Sequence, residues 1–258
     1  MPSAITGMTT IKANMLRNGG GVAHRMAPGA HIAICKDCLF NGYYNSDIVE
    51  AMDATVGDGV EVLLVSLDGL PVLFYDDAVV SSSFRVVEKD ISVIFAVRNN
   101  GPLETLWPLR LPRGPNLTNP SILKQAVIAP GVNIIATWPH ILGPSGLLVD
   151  SRRVNFTVMS GTSMACPDVS IITSLIHSAN LNWSPTVITS AIMTTADVAY
   201  HYRKPIMGGN VLANYFAMGS GHMSHINLDK AVKPRLIYDI RPTSSICAVW
   251  DREDRKCS

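Results

Sequence analysis

The chain has 258 residues, 47% of them hydrophobic and 16% charged, with a formal net charge of +1. That is enough apolar material for one large domain with a substantial core, and too much for a disordered chain. Neither a basic stripe nor a long charge run is present, which removes nucleic acid and anionic membrane as partners, and no run of about 18 apolar residues offers a membrane span.

After a glycine-rich opening at Gly19 to Gly21, apolar strand-like runs alternate with amphipathic helix-like segments. This is the pattern of a parallel sheet covered by helices. His31 to Cys35 is predicted as a strand. Ser46 caps a helix to about Val56, ended by Gly57 and Gly59, and Val60 to Ser66 forms the next strand. Asp76 or Asp77 opens a helix through about Lys89, and Ile91 to Val97 is a third strand. Two crossover units therefore lie within residues 31–97, and they predict an α/β, doubly wound, mostly parallel sheet flanked by helices. In such sheets ligands bind at the carboxyl ends of the strands, and Ser66, Leu67, Asn99 and Ser163 all fall just past strands or at a helix start.

Residues 103–124 are rich in Pro, Arg and Asn, and no strand-like run lies between Asn99 and Ala126. Val127 to Ala129 and Val132 to Thr137 supply short strands. Gly161 to Ser178 is predicted as a helix, and Ser184-Pro185 to about Ala196 as another with proline in its first turn. The tail, 241–258, is polar.

The run Met159-Ser160-Gly161-Thr162-Ser163-Met164-Ala165-Cys166-Pro167 carries the chemistry. Thr162 and Ser163 are good helix-capping residues, and Met164, Val169, Ile172, Leu175 and Ile176 come after them at roughly helical spacing. Ser163 then sits in the first helical turn. Unpaired N–H groups and the positive end of the helix dipole gather there and favour negative charge on a substrate oxygen during acyl transfer.

This run resembles the nucleophile motif of subtilisin-like serine proteases, and G-T-S-M-A-C-P is most similar to the plant subtilases. Met26-Ala27-Pro28-Gly29-Ala30-His31-Ile32-Ala33-Ile34, Ser66-Leu67-Asp68-Gly69, Arg98-Asn99-Asn100-Gly101-Pro102, Arg113-Gly114-Pro115-Asn116, Ile128-Ala129-Pro130-Gly131-Val132, Trp183-Ser184-Pro185, Met193-Thr194-Thr195-Ala196 and Gly219-Ser220-Gly221-His222 stand in the family's order. The resemblance implies serine-type peptide-bond hydrolysis without a cofactor, with Ser163 as nucleophile and Asn99 as oxyanion donor. It also implies substrate backbone against Ser66, Leu67, Gly69, Gly161 and Thr162, and peptides or proteins as substrates.

It implies, further, a partial catalytic domain over residues 1–240. A sheet strand and a protease-associated insertion of the family are not recognisable between the motifs, which places an internal deletion around 103–124 and makes the fold an incomplete one. Secretion to the cell wall, apoplast or vacuole is the family's habit, although residues 1–20 lack the apolar centre of a signal peptide.

A serine hydroxyl needs a base, usually a histidine oriented by a carboxylate. Neither an Asp-Thr/Ser-Gly run nor a His-Gly-Thr-His run occurs in this sequence. Residues 4–31 resemble the stretch just downstream of the family's histidine motif, so by resemblance both motifs lie upstream of Met1. Asp168 stands where the family has a histidine, but five helical steps turn it roughly 140° from Ser163, too far to take its proton. His140 is the nearest histidine upstream, and His24, His31, His222 and His225 belong to segments that are structural in the family. Arg98 replaces a small residue beside Asn99, and Asp68 replaces a glycine in the strand expected to pair with substrate, both with bulk and charge. A second reading, an inactive subtilase fragment or pseudoprotease that binds peptide or protein, comes from the same departures.

The five cysteines, Cys35, Cys38, Cys166, Cys247 and Cys257, build no disulfide framework, and Cys35-x-x-Cys38 has no second pair at metal-ligand spacing. No metal site is expected. Asn116, Asn155 and Asn182 open N-glycosylation sequons, which matter only in a secreted chain.

Overall fold

The computed structural model describes residues 10–15, 18–23, 26, 27, 29–35, 44–67, 78–96, 126–145, 147, 149–200, 204–208, 211–223 and 228–239. The first element is a ribbon the alternation does not predict, β1 (Thr10–Met15) antiparallel to β2 (Asn18–Ala23). Its register shifts between Ile11 and Ala13 and again between Ala13 and Met15. Three consecutive glycines in β2 leave no side-chain pattern to read.

Residues 31–35, predicted as a strand, form none, and all five are exposed. Apolar character alone does not make a strand, because a strand exists only beside a partner, and among the described residues none lies there. Helix α1 (Asn45–Gly57) is next. It starts one residue before the predicted cap: Tyr44 is the N-cap and makes no side-chain bond, while the Ser46 hydroxyl bonds the adjacent Asp47 carboxylate. Its end is as predicted. Gly59 (φ +69°) takes a left-handed conformation and donates its N–H to the Val56 carbonyl at 3.2 Å, as glycine does at helix ends.

β3 (Val62–Val65), α2 (Ala78–Val87) and β4 (Ser92–Phe95) form one βαβ unit, with parallel register from Val62↔Ser92 to Val65↔Phe95. These elements are shorter than predicted, and Asp76, Asp77 and Val97 lie outside the described residues. Ile48, Met52, Val65, Val86 and Ile91 pack into a buried core joining α1, β3, α2 and β4.

β5 (Ile134–Thr137) pairs antiparallel with β6 (Phe156–Met159). The strand predicted at Val127 to Ala129 is reduced to a single bridge between Ile128 and His222. The long helix α3 (Thr162–Ala179) packs on β3 and β4 and then on α4 (Pro185–Thr195). α4 begins as predicted: the Ser184 hydroxyl accepts the Val187 N–H at 3.3 Å and Pro185 occupies the first turn. Asp239 accepts from the Ser184 and Thr186 hydroxyls, which holds the segment after residue 232 against the start of α4.

Short elements close the chain: β7 (Met207–Gly208), β8 (Val211–Leu212), α5 (Tyr215–Met218) and α6 (Leu228–Val232). Ile172, Ile176, Ile188, Ile192, Met223 and Ala231 make the second core, where α3, α4 and α6 meet. The described strands form four two-stranded sheets, of which β3–β4 is the parallel one. The α/β class therefore stands, and the predicted parallel sheet is represented among the described residues by this pair. Among them, no helix is long and apolar enough to cross a membrane.

Candidate active site

Gly161, not Thr162 or Ser163, is the N-cap of α3; its φ of 152° and ψ of 164° suit glycine, and no side chain caps the helix. Ser163 is thus the second helical residue, half-buried in the first turn as predicted. A serine at this point faces the unpaired N–H end of an eighteen-residue helix, where negative charge is favoured.

The turn is held from behind. The Gly161 N–H donates to the Gly131 carbonyl at 2.8 Å, and the Asn133 N–H donates to the Ser160 hydroxyl at 2.9 Å. Asn133 reaches that hydroxyl from a left-handed conformation (φ +56°), which asparagine tolerates better than most residues. One turn later Pro167 lies fully buried inside α3. It lacks the N–H that would bond the Ser163 carbonyl, so the backbone around the nucleophile depends on Gly131 and Asn133 more than on the helix ladder.

Cys166, three residues past Ser163, sits with its sulfur 3.5 Å from the Ile94 carbonyl and fastens the start of α3 onto β4. Burial pushes its thiol up to about 12. It is therefore a protonated packing residue at neutral pH and no rival nucleophile. Ser66 and Leu67 lie directly after β3, and the Ser66 hydroxyl is buried without a hydrogen-bond partner. Asn99 and Gly69 lie outside the described residues, as do His24, His225, Cys38 and Asp68.

No hydrogen bond reaches the Ser163 hydroxyl among the described residues. His31 and His140 are exposed. His222 stacks edge-on with Tyr200 at 5.2 Å between ring centres, while its backbone bridges Ile128 and Asp197. Among the described residues, no group of three or more His, Cys, Asp or Glu side chains is arranged to hold a metal ion.

The loop joining β5 to β6 has an organising centre that the sequence reading missed. The Asp150 carboxylate accepts from the Ser145 N–H (3.1 Å) and hydroxyl (2.7 Å), from the Arg152 N–H (3.1 Å), and from the Arg152 guanidinium at 2.9 Å on each oxygen. Gly143 is needed beside it, since a Cβ there would collide with Asp150. The spacing Ser145…Asp150-x-Arg152 was the available signal, a weak one. The Arg152 side chain and then Ser145 hold the Asp150 carboxyl well below the usual carboxylate range. A depressed pKa contributes stability above the unfolded value of about 3.9 and loses it only as pH falls through the lower folded value. Amide exchange at Ser145 and Arg152, corrected for intrinsic rates, should therefore stay protected through pH 4, and Asp150→Asn should remove that protection at pH 7.

A subtilase family model matches residues 112–221 of the chain. The chain is 35% identical to subtilisin-like protease SBT1.2 of Arabidopsis thaliana over 408 aligned positions, covering 95% of this chain and 52% of the relative. The chain belongs to the subtilase family. Over shorter stretches it is 48% identical to SBT1.7 of Arabidopsis thaliana (50% of this chain, 17% of the relative) and 47% identical to subtilisin-like protease Glyma18g48580 of Glycine max (51% and 17%). It spans about half the length of the first of these relatives and under a fifth of the others. In the SBT1.2 alignment well over a hundred positions of the relative face no residue of this subtilase. The prenylagaramide maturation protease PagA superposes with a TM-score of 0.53 at 17% identity (82% of this chain, 77% of that one). Fervidolysin of Fervidobacterium pennivorans gives 0.50 at 17% identity (79% and 30%), and together these establish the subtilisin-like α/β fold.

Proposed function

We propose that this subtilase carries the nucleophile half of a serine-type endopeptidase site. In this reading Ser163 attacks the carbonyl carbon of a peptide and its hydroxyl proton passes to a base. The carbonyl oxygen takes the negative charge at the open end of α3 with the Asn99 amide as a further donor, and the amine leaves to give an acyl-serine that water hydrolyses. The observation that carries the reading is the placement of Ser163 in a first helical turn fixed by the Gly161–Gly131 and Ser160–Asn133 bonds. Ser66, Leu67 and Gly69 on one side and Gly161 and Thr162 on the other are the proposed backbone contacts of the substrate.

The base is the part this sequence does not supply, since neither acidic nor histidine motif occurs in it. The 258-residue polypeptide alone should therefore retain only the residual catalysis of oxyanion stabilisation and binding, about 10³–10⁴ over water. The same feature favours the second reading, a chain that binds peptide without turning it over. Peptide or protein substrates and a secretory location are proposed from the family; the Asn155 and Asn182 side chains that glycans would use there are exposed, although Phe156 and Thr157 of the Asn155 sequon are buried in β6.

A peptidyl p-nitrophenyl ester tests the chemistry without needing full activity. The expected result is slow release of about one nitrophenolate per chain, lost in Ser163→Ala. Equal release from both proteins would remove Ser163 from its role.

A further inference from the structure

A cavity of about 980 Å³ lies between residues 29–35 and β3, with α1 and α3 as its other walls. Residues 29–35 and 58–67 form its two long sides. β3 bonds β4 along one edge, and among the described residues no strand pairs with the other edge. Across the cavity, residues 31–35 belong to no strand, although Ile32 and Ile34 stand 40% and 73% exposed, a poor arrangement for apolar side chains in water. Ile48 and Met52 of α1 and Ser170 and Ser174 of α3 line the remaining walls. The hydroxyls of Ser170 and Ser174 already bond carbonyls one turn back, at 3.0 and 2.9 Å. Among the described residues, the unmet polar demand is thus the open edge of β3, the backbone of residues 31–35 and the buried hydroxyl of Ser66.

Residues 31–35 lead through α1 into β3, the connection that joins parallel strands of one sheet. Instead of lying against β3, they face it across an open slot. We propose that this slot receives one extended apolar segment donated by another polypeptide, hydrogen-bonded to β3 on one side and to residues 31–35 on the other. Helices on both faces would bury such a strand fully, so it must be a near-continuous apolar run of roughly the length of β3. A small apolar molecule leaves both backbone ladders unmade. A lone strand fits between two edges, whereas a second copy offering its own residues 31–35 would give dimers in the absence of peptide. The relative's many aligned positions without a counterpart here are the independent sign that this chain lacks internal segments a close homologue has. The inference does not depend on the chemistry of Ser163.

The test uses the whole chain and a synthetic peptide copying Ile91 to Ala96, the sequence β3 already accepts in parallel register, flanked by lysines for solubility. Hydrogen exchange read by mass spectrometry should show residues 31–35 and 62–66 protected together, about tenfold at a peptide concentration ten times Kd. Protection of 31–35, which β4 does not touch, distinguishes slot filling from displacement of β4. Ile32→Pro and Ala33→Pro remove neighbouring N–H groups that point to opposite edges, on an exposed segment whose loss of a donor disturbs no existing pair. One of them should bind about two- to tenfold more weakly and the other like the parent. The proposal is overturned by no joint protection, by protection of α1 and α3 alone, by equal binding of both variants, or by dimers that protect both edges without peptide.

Discussion

Ile172→Ala is expected to lower the stability of this subtilase by about 2–5 kcal/mol, read from the urea midpoint at unchanged m-value. Ile172 is 0% exposed at the centre of the core formed by α3, α4 and α6, packed with Ile176, Ile188, Ile192 and Met223. Truncation deletes buried methyl groups and leaves a cavity that three helices cannot easily close, so both transfer and cavity terms count. Ile172→Val should cost only about 0.5–1.5 kcal/mol. Leu181→Ala, at a position 73% exposed just past α3, should change stability by less than about 0.5 kcal/mol. Equal losses at Ile172 and Leu181 would mean that the α3–α4–α6 core does not carry the fold.

Gly131→Ala is expected to reduce acylation of Ser163 by about a hundredfold, the size of loss that a 1 Å misplacement of a reacting group can bring. A Cβ on Gly131 would stand 2.8 Å from the Gly161 carbonyl oxygen, 3.1 Å from the Ala165 Cβ and 3.3 Å from the Ala165 nitrogen. Two of those atoms are backbone of the turn that presents Ser163, and they cannot swing aside as a side chain can. The turn must shift, and the 2.8 Å bond from Gly161 to Gly131 shifts with it. The stability cost, about 1–3 kcal/mol, is that of overpacking and is comparable with the hundredfold loss of reactivity, about 2.7 kcal/mol, so the two are read separately. Gly29→Ala is the control, because nothing lies within 4 Å of a Cβ there. Comparable acylation by Gly131→Ala and the parent would show that the turn is not held from Gly131.

These two positions also show what the sequence could and could not reveal. Ile172 and Ile176 declare a helix by their spacing, and Ser184-Pro185 marks the start of α4 by its own chemistry, because helices are stabilised by bonds four residues apart. Ser163 in a first turn was legible for the same reason. Strands depend on partners elsewhere in the chain, so the apolar run at 31–35 was read as a strand and has none, while β1, β2 and β6 were not anticipated. Gly131 was visible as part of a family-like motif, but its contact with Gly161 spans thirty positions and appears only in three dimensions. Asp150 stayed hidden because its partners, Ser145 and Arg152, are common residues whose meeting depends on the close approach that Gly143 permits.

The most direct measurement is exposure of the folded chain to a fluorophosphonate, with the modified serine located by peptide mass spectrometry and Ser163→Ala as control. A slow adduct confined to the peptide containing Ser163, absent from the variant, is the predicted result. No adduct on a chain shown to be folded by circular dichroism, or adducts spread evenly over other serines, would contradict Ser163 as the nucleophile.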